Sequence, residues 1–138
     1  MRELFVDTNV IIDLLLGREP YASNAINIFR YAIKNDIILN VCSFSYATSC
    51  YILRKSMSHK NVLHDLGWLL ELSKCLPVNE SIIQQAIKSQ FRDFEDAVQY
   101  FCALQVPKCE AIISRDRKGF QLSTIPCMSP NEFLAREI

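Results

Sequence analysis

The chain has 138 residues, of which 50% are hydrophobic and 22% are charged. This size and composition predict a single domain with a buried core, spanning residues 1–138. Fifteen basic residues balance fifteen acidic ones, which excludes a polycation that binds nucleic acid over its whole surface but leaves room for a local basic patch. The sequence shows no signal-peptide pattern and no apolar run near the roughly 20 residues that span a bilayer. We therefore expect a cytoplasmic protein that makes no membrane contact.

The six cysteines are the first candidates for a disulfide framework or a metal site. Most of them lie inside apolar runs, and no two have the two-residue spacing of a zinc or redox pair. We expect buried free thiols, because cysteine packs as a small hydrophobic side chain. His59 and His64 are five residues apart, and no cysteine or acid completes a tetrahedral set with them, so we expect them on a helix surface.

The amino-terminal half of the chain predicts two strands, each followed by helices. A buried strand over residues 4–6 ends at Asp7, and a second strand covers residues 37–42. The helices are expected over residues 10–16, with Gly17 at the end, over residues 20–33, over residues 46–55 with Ser45 as the N-cap, and over residues 61–73.

The carboxyl-terminal half continues this alternation. A short strand over residues 75–78 contains a proline, which favours an edge or irregular position. The helix over residues 93–105 is apolar nearly all round, as buried helices are. The other predicted elements are a helix over residues 82–87, strands over residues 111–113 and 125–128, and a last helix that opens with the capping-box sequence Ser129-Pro130-Asn131-Glu132.

Strands that alternate with helices predict an α/β fold with three layers, α/β/α, around a central, mostly parallel sheet of four to five strands. Ligands of such sheets bind outside the carboxyl ends of the strands, where the strand order reverses. Asp7 and Asp116 each follow a predicted strand, so we expect both at this edge.

Asp93 and Asp96 open the buried helix that leads into the strand before Asp116. If this crossover helix runs antiparallel to the sheet, we expect its first turn at the edge opposite to Asp7. Local topology then brings Asp96 to Asp7 only if the helix is entered late or tilts over the edge.

Each acid also has a purely structural explanation. Asp93 and Asp96 have the spacing of an N-cap and a third-position pair, and Asp116 suits a turn. Asp7 is harder to explain, because an acid directly after a buried strand is costly unless it is paired, hydrogen-bonded or metal-bound.

Clustered carboxylates raise one another's pKa unless a cation compensates their charge. An all-oxygen set without histidine or cysteine favours Mg²⁺ or Mn²⁺ over zinc, and such ions complete their shell with anionic substrates, which indicates phosphate chemistry. Four basic residues beside the acids are candidates to hold a nucleic-acid backbone, or else belong to an ordinary solvated surface. They are Arg92, Arg115, Arg117 and Lys118.

Three segments together resemble the PIN-domain nucleases, and in particular the toxin-type, VapC-like bacterial members. The segments are Phe5-Val-Asp-Thr-Asn-Val10, Asp93-Phe-Glu-Asp-Ala97 and Ile112-Ile-Ser-Arg-Asp-Arg117. Each motif is weak alone, but their order and spacing fit along nearly the whole chain. The resemblance implies a PIN-like domain over residues 1–138.

The resemblance also assigns roles to residues of the site. It implies that Asp7, Asp96 and Asp116 are the catalytic residues and bind Mg²⁺ or Mn²⁺, with Asp7 as the central ligand. Asp93 and Glu95 are candidates for additional or outer-shell ligands. The residues implied to support these acids are Asn9, Ser114, Thr8 and Ser49.

The implied function is a metal-dependent ribonuclease that hydrolyses an RNA phosphodiester bond with an activated water and leaves a 5′-phosphate. Many bacterial members of the family are toxins of toxin–antitoxin pairs, and such members often dimerise. The resemblance therefore implies RNA as the substrate, an antitoxin protein as a partner, and a homodimer.

The chain departs from the family pattern in the helix after the second strand. The family usually has a glutamate there, whereas Thr48 or Ser49 stands at the expected position and no acid lies between Asp36 and Asp65. The loss of one carboxylate weakens metal binding unless Asp93 or Glu95 compensates. The alternative function is a catalytically weak or inactive PIN-like domain that binds RNA or a partner protein.

Two other phosphate-handling families place an acid after the first strand. A phosphatase of the haloacid dehalogenase type needs a second aspartate where this chain has Asn9, and a later Gly-Asp signature that the sequence lacks. A phosphoacceptor receiver domain needs an aspartate at the end of the third strand, where residues 75–79 contain none. Both are weaker interpretations than the PIN domain.

Overall fold

A five-stranded sheet forms the centre of the computed structural model, which describes residues 1–137. All neighbouring strands are parallel. The strands are β1 (Glu3–Val6), β2 (Ile38–Cys42), β3 (Lys74–Leu76), β4 (Cys109–Ile113) and β5 (Cys127–Met128). Their order across the sheet is β3-β2-β1-β4-β5, so the strand predicted over residues 75–78 does lie at an edge, although it ends at Leu76, before the proline.

Helices cover both faces of the sheet, which confirms the predicted three-layer α/β/α fold. The α-helices in the described part of the chain are α1 (Thr8–Leu16), α2 (Tyr21–Lys34), α3 (Ser43–Leu53), α4 (His59–Leu72), α5 (Glu80–Lys88), α6 (Phe94–Ala103) and α7 (Pro130–Arg136). A short 3-10 helix, Lys118–Phe120, follows β4.

The three central strands β1, β2 and β4 are mostly apolar and buried, because helices cover both faces of the sheet there. In β1, Leu4 and Val6 belong to a core cluster with side chains of α1, α2, α4 and α7. Phe5, which points to the other face, belongs to a second cluster with side chains of α5 and α6. The alternation of side chains along each strand thus divides the core into two halves.

The order of the strands reverses at β1. The chain runs from β1 through β2 to β3 on one side and then crosses back to β4 on the other side. The carboxyl ends of β1 and β4 therefore adjoin, and the Asp7 N–H donates to Ile113 O at 2.9 Å. This is the position in an open parallel sheet at which ligands bind.

Several predicted helix starts differ from the structure. α1 and α5 each begin two residues earlier than expected, at Thr8 and Glu80. α3 begins at Ser43 directly after β2, so Ser45 lies inside the helix and its hydroxyl bonds Thr8 Oγ1 instead of capping. α4 begins two residues earlier than expected, because Ser58 accepts from the Asn61 N–H and caps the helix. The capping box of α7 is confirmed, with Ser129 and Glu132 bonded reciprocally.

All six cysteines are free, as expected. Only Cys42 and Cys102 are fully buried, however, and Cys75 is exposed on the edge strand. His59 and His64 lie on the exposed surface of α4, which confirms their predicted place. No helix within residues 1–137 is long and apolar enough to cross a bilayer.

Candidate active site

Asp7 lies at the carboxyl end of β1 and at the N-cap position of α1. Its side chain is only 3% exposed and makes no capping hydrogen bond. Its Oδ2 accepts from Ser114 Oγ at 2.6 Å, and its Oδ1 accepts from Gln99 Nε2. Burial raises the pKa of Asp7 above its ordinary value, and the hydrogen bonds from Ser114 and Gln99 oppose that shift.

Ser114, the first residue after β4, links the ends of the two central strands. Its hydroxyl donates to Asp7 and accepts from Asn9 Nδ2 at 3.2 Å and from the Asp116 N–H at 2.9 Å. Asn9 Oδ1 in turn accepts from the Arg115 N–H at 3.4 Å. Ser114 and Asn9, two of the four residues predicted to support the acids, therefore join the loop that carries Asp116 to the start of α1.

The first turn of α6 lies at the same edge as Asp7, and the expectation that it begins at the opposite edge is wrong. A helix that returns the chain to the amino end of the next parallel strand must begin at the carboxyl edge. Asp93 caps α6 by accepting from the Asp96 N–H at 3.0 Å. Asp96 follows at the third helical position, half-buried at this edge.

Asp96 stands in a strongly acidic environment. Burial, followed by repulsion from the charges of Asp7, Asp93, Asp116 and Glu95, raises the pKa of Asp96 to about 7. Asp96 therefore lies close enough to these acids for their charges to affect its ionisation.

The carboxylates of Asp96 and Asp116 meet above Gly119. Asp116 Oδ1 accepts from the Gly119 N–H at 3.0 Å. A Cβ atom on residue 119 would collide with Asp96 Oδ2 and would lie 2.7 Å from Asp116 Oδ2. Glycine therefore leaves the space in which the two carboxylates approach each other. Sequence reasoning missed this residue, although a glycine three residues after Asp116 was a signal.

A cleft opens in front of this carboxylate pair. It is lined by Arg92, Asp93, Asp96, Asp116, Lys118, Gly119 and Leu122, among others. Of the four basic residues predicted to hold RNA, Arg92 and Lys118 line the cleft. The other two form ion pairs with residues outside the cleft. Arg115 Nε lies 2.6 Å from Asp13 Oδ2, and Arg117 Nη1 lies 3.0 Å from Glu132 Oε2.

The surroundings of Asp7 on the α3 side are neutral. Ser49, at the position where an acid was expected, is fully buried, and among residues 1–137 its Oγ has no hydrogen-bond partner. Thr48 is half-buried on the same helix. Thr8 donates from its N–H to Gln99 Oε1 at 3.0 Å, and its Oγ1 lies 2.6 Å from Ser45 Oγ.

Besides Gly119, Gln99 and Ser45 are site residues that sequence reasoning did not assign. Gln99 is the one strongly polar residue between Ala97 and Leu104, and it lies one helical turn after Asp96. That position on an otherwise apolar helix was the available signal.

The acids supply an all-oxygen set of the kind that hard divalent cations prefer. Asp96 and Asp116 are adjacent over Gly119, while Asp7 is buried and does not line the cleft. Within residues 1–137, no three histidine, cysteine, aspartate or glutamate side chains stand in the arrangement of a complete metal site.

A sequence model of the PIN domain family matches residues 3–118. Ribonuclease VapC1 of Aquifex aeolicus (strain VF5) is 28% identical to this chain over 139 aligned positions, which cover 97% of this chain and 94% of the relative.

Solved structures with the same fold are also similar over most of their length. VapC20 of Mycobacterium tuberculosis, a toxin that cleaves the sarcin–ricin loop, matches with a TM-score of 0.65 at 14% identity, over 82% of this chain and 89% of that one. VapBC2 of Rickettsia felis, solved with a promoter DNA fragment, matches with a TM-score of 0.68 at 12% identity, over 92% and 97%. A toxin–antitoxin complex of Klebsiella pneumoniae matches with a TM-score of 0.64 at 19% identity, over 92% and 97%.

The parallel sheet with its acids at the switch point, together with the match over residues 3–118, defines the class of the protein. The chain belongs to the PIN domain family.

Proposed function

We propose that this protein is a metal-dependent endoribonuclease that hydrolyses RNA phosphodiester bonds as the toxin of a toxin–antitoxin pair. The observation that carries the proposal is the meeting of Asp96 and Asp116 over Gly119, at the sheet edge that also holds the buried carboxylate of Asp7. The full-length similarity to a protein named a ribonuclease supports the same reaction.

Asp7, Asp96 and Asp116 would hold Mg²⁺ or Mn²⁺, with Asp93 as an additional ligand. Asp93 Oδ1 caps α6, which leaves its other carboxylate oxygen for this role. A bound ion would supply charge compensation for the acids and activation of water toward phosphorus. The raised pKa of Asp96 supports the need for such compensation.

The remaining residues of the site bind and orient. Arg92 and Lys118 line the cleft and would hold the RNA phosphates on either side of the acids. Ser114 and Asn9 orient Asp7 and the loop of Asp116 by hydrogen bonds. Glu95 is exposed beside Asp96 and adds negative potential at the edge.

The proposal includes the assembly and the compartment. An antitoxin protein is the expected partner, since structures of toxin–antitoxin complexes share the fold. We expect a homodimer in the free state, which light scattering measures. Six free thiols suit a reducing compartment, so we expect the protein to act in the cytoplasm.

The test is the substitution Asp7→Asn, which keeps the shape of the side chain and removes its charge. Mn²⁺-dependent cleavage of single-stranded RNA should fall to the level seen with EDTA. The midpoint of thermal unfolding should stay the same or rise, because burial of the Asp7 charge is costly. Asp36→Asn is the matched control, since Asp36 lies in the turn between α2 and β2 at φ 55, which asparagine tolerates.

Equal cleavage by the Asp7→Asn variant and the unchanged protein would refute the proposed active site. Cleavage that persists in EDTA would refute the dependence on metal.

One observation favours a second candidate, a PIN domain that binds RNA or a protein without cleaving RNA. No acid occurs on α3, and Ser49 fills the buried position expected for glutamate. This candidate predicts that RNA or a partner protein binds while no divalent ion supports cleavage. Sustained turnover with Mg²⁺ or Mn²⁺ would exclude it.

A further inference from the structure

Gln99 lies in the interior of the protein, between Asp7 and the start of α1. Its polar side chain is only 2% exposed, and most of its neighbours along α6 are apolar. A buried amide is costly unless its donors and acceptor are bonded. The partners of Gln99 therefore indicate why the residue is present.

The orientation of the Gln99 amide follows from its neighbours. Its Oε1 accepts from the Thr8 N–H at 3.0 Å and lies 3.3 Å from Thr8 Oγ1. A backbone N–H only donates, so the oxygen of the amide must face Thr8. The nitrogen, Nε2, consequently faces Asp7 Oδ1 and donates to it.

Thr8 is itself held in place. Its Oγ1 lies 2.6 Å from Ser45 Oγ on α3, which ties the start of α1 to α3. The Gln99 amide is thus fixed from the side opposite to Asp7, and its donor is presented to the carboxylate in one orientation.

The carboxylate of Asp7 is held at both oxygens. Ser114 donates to Oδ2 from the end of β4, while Gln99 donates to Oδ1 from α6. Each oxygen keeps a second lone pair for a ligand. Both donors are neutral, so neither supplies a positive charge that would offset the ionised carboxylate.

The α3 side of the site has no carboxylate that could share this task. Ser45 and Ser49 are the buried polar residues of α3. Hydrogen-bond partners that orient metal ligands commonly change metal affinity or activity about 10- to 100-fold when they are removed.

We propose that Gln99 is a positioning residue, whose amide, fixed by Thr8, holds the Asp7 carboxylate in the orientation that binds the divalent ion. In this chain the neutral amide of Gln99, on α6, supports the Asp7 carboxylate. The acid that the family pattern has on α3 is missing. The inference rests on the proposed metal-dependent nuclease and adds a residue to its site.

The test is Gln99→Met, which keeps an unbranched side chain of similar length and removes the hydrogen bonds of the amide to Thr8 and to Asp7. Gln105→Met is the matched control, because Gln105 follows the same helix and bonds Pro77 O at 2.8 Å, away from the acids. We expect the dissociation constant for Mn²⁺, measured by electron paramagnetic resonance, to rise about 10- to 100-fold in the Gln99 variant. The control should stay within about twofold, and kcat for RNA cleavage should fall with Mn²⁺ affinity in the Gln99 variant alone.

A purely structural role lowers the unfolding midpoint and leaves the Mn²⁺ affinity of the folded variant unchanged, and that result would overturn the inference. A second measurement needs only the unchanged protein. Mg²⁺ should shift the side-chain amide resonances of Gln99 and leave those of Gln105 in place. Unmoved Gln99 resonances at saturating Mg²⁺ would also overturn the inference, even if the variant does not fold.

The proposed function fails in a different way. If the unchanged protein binds neither Mg²⁺ nor Mn²⁺, the metal-dependent nuclease is refuted and the role of Gln99 is refuted with it. If the unchanged protein binds and cleaves while the Gln99 variant binds equally well, the role of Gln99 alone is refuted.

Discussion

Two aspartates of this chain are buried to the same degree but have opposite surroundings. Asp13 is 1% exposed and forms ion pairs with Arg18 and Arg115. Asp7 is 3% exposed, and its hydrogen bonds come from the neutral side chains of Ser114 and Gln99. A buried charge without a counter-ion is costly. Asp13 is therefore explained as part of the fold, while Asp7 is better explained by a cation that binds during function.

Gly119 gives a prediction at the same scale. In Gly119→Ala, the new methyl group should displace the carboxylates of Asp96 and Asp116 while the backbone stays in place, since only side-chain ends of the two acids lie in its way. We expect Mn²⁺ affinity to fall by at least about 10-fold, as for other changes that misplace ligands. Isothermal titration calorimetry measures this affinity.

Gly67→Ala provides the control for that substitution. A Cβ atom on Gly67, in the middle of α4, meets nothing within 4 Å. Alanine should stabilise α4 by up to about 1 kcal/mol and leave metal affinity unchanged. The same loss of affinity in both variants would contradict the described approach of Asp96 and Asp116.

Single residues differ in how far sequence reveals them. Asp7 and Asp116 were predictable because acids directly after buried strands converge at one edge of a parallel sheet. Gly119 and Gln99 were not, because their roles depend on side chains that are distant in sequence. Nothing in the residues around Gln99 shows that Thr8 fixes its amide from another helix.

At the scale of elements, α6 carries much of the site. Asp93 caps it, Asp96 lies in its first turn, and Gln99 lies one turn further. The positive end of the helix dipole lies beside these acids and partly offsets their repulsion. The sequence presented helix capping and metal binding as alternative roles for Asp93 and Asp96. The start of α6 is compatible with both roles, because Asp93 caps the helix with one oxygen while Asp96 lies beside the cleft.

The loop after β4 is the second element that positions an acid. Arg115 binds Asp13 of α1 with two nitrogens, and its guanidinium lies 3.9 Å from the ring centroid of Tyr21. We expect Arg115→Ala to destabilise the protein by about 1 to 3 kcal/mol, because it leaves part of a buried carboxylate unpaired. Urea denaturation measures this, with the exposed Arg30→Ala on α2 as the control. Equal stability of the two variants would refute the proposed stabilisation of the loop by the ion pair of Arg115 with Asp13.

Lys118 should behave differently from Arg115, since it lines the cleft. In an Asp7→Asn background, Lys118→Ala should weaken RNA binding and reduce the slope of log affinity against log salt by about 0.7 per lost phosphate contact. Fluorescence anisotropy over a salt series measures both effects. The matched control is Lys108→Ala, in the exposed turn before β4 at the other end of that strand. An unchanged slope for the Lys118 variant would remove this residue from the RNA site.

The types of the elements could be predicted from sequence, but their arrangement could not. Short, mostly apolar runs of three to six residues between helical patterns indicated the strands. The order β3-β2-β1-β4-β5 depends on contacts between distant segments, which a local pattern does not contain. The expected position of the first turn of α6 was wrong for another reason. A helix that connects two parallel strands runs antiparallel to them and therefore begins at the carboxyl edge of the sheet, not at the amino edge.

At the scale of the whole molecule, the site should act against stability when no metal is present. The switch point between β1 and β4 brings several acids to one sheet edge, where burial and repulsion raise the pKa values of Asp7 and Asp96. A divalent ion binds only the folded state, so it should stabilise the protein. At a concentration about 100 times its dissociation constant the gain is about 2.7 kcal/mol.

The stability of the metal-free protein should therefore depend on pH in a defined direction. The folded protein holds a proton on Asp96 up to about pH 7, whereas the unfolded chain releases it near the ordinary value of 3.8. The folded state thus binds more protons in this window, so the free energy of unfolding should fall as pH rises from about 5 to 7. The lowered pKa values of Glu132 and Glu137 act in the opposite direction, but only below this window.

Thermal unfolding in EDTA, followed by circular dichroism, should show a midpoint that decreases from pH 5 to pH 7. Asp96→Asn should flatten the decrease. Saturating Mn²⁺ should raise the midpoint of the unchanged protein most at pH 7, because protons compete least for the acids at that end of the range. A midpoint in EDTA that rises over this range, or the same decrease in the Asp96→Asn variant, would contradict the predicted charge state of the site.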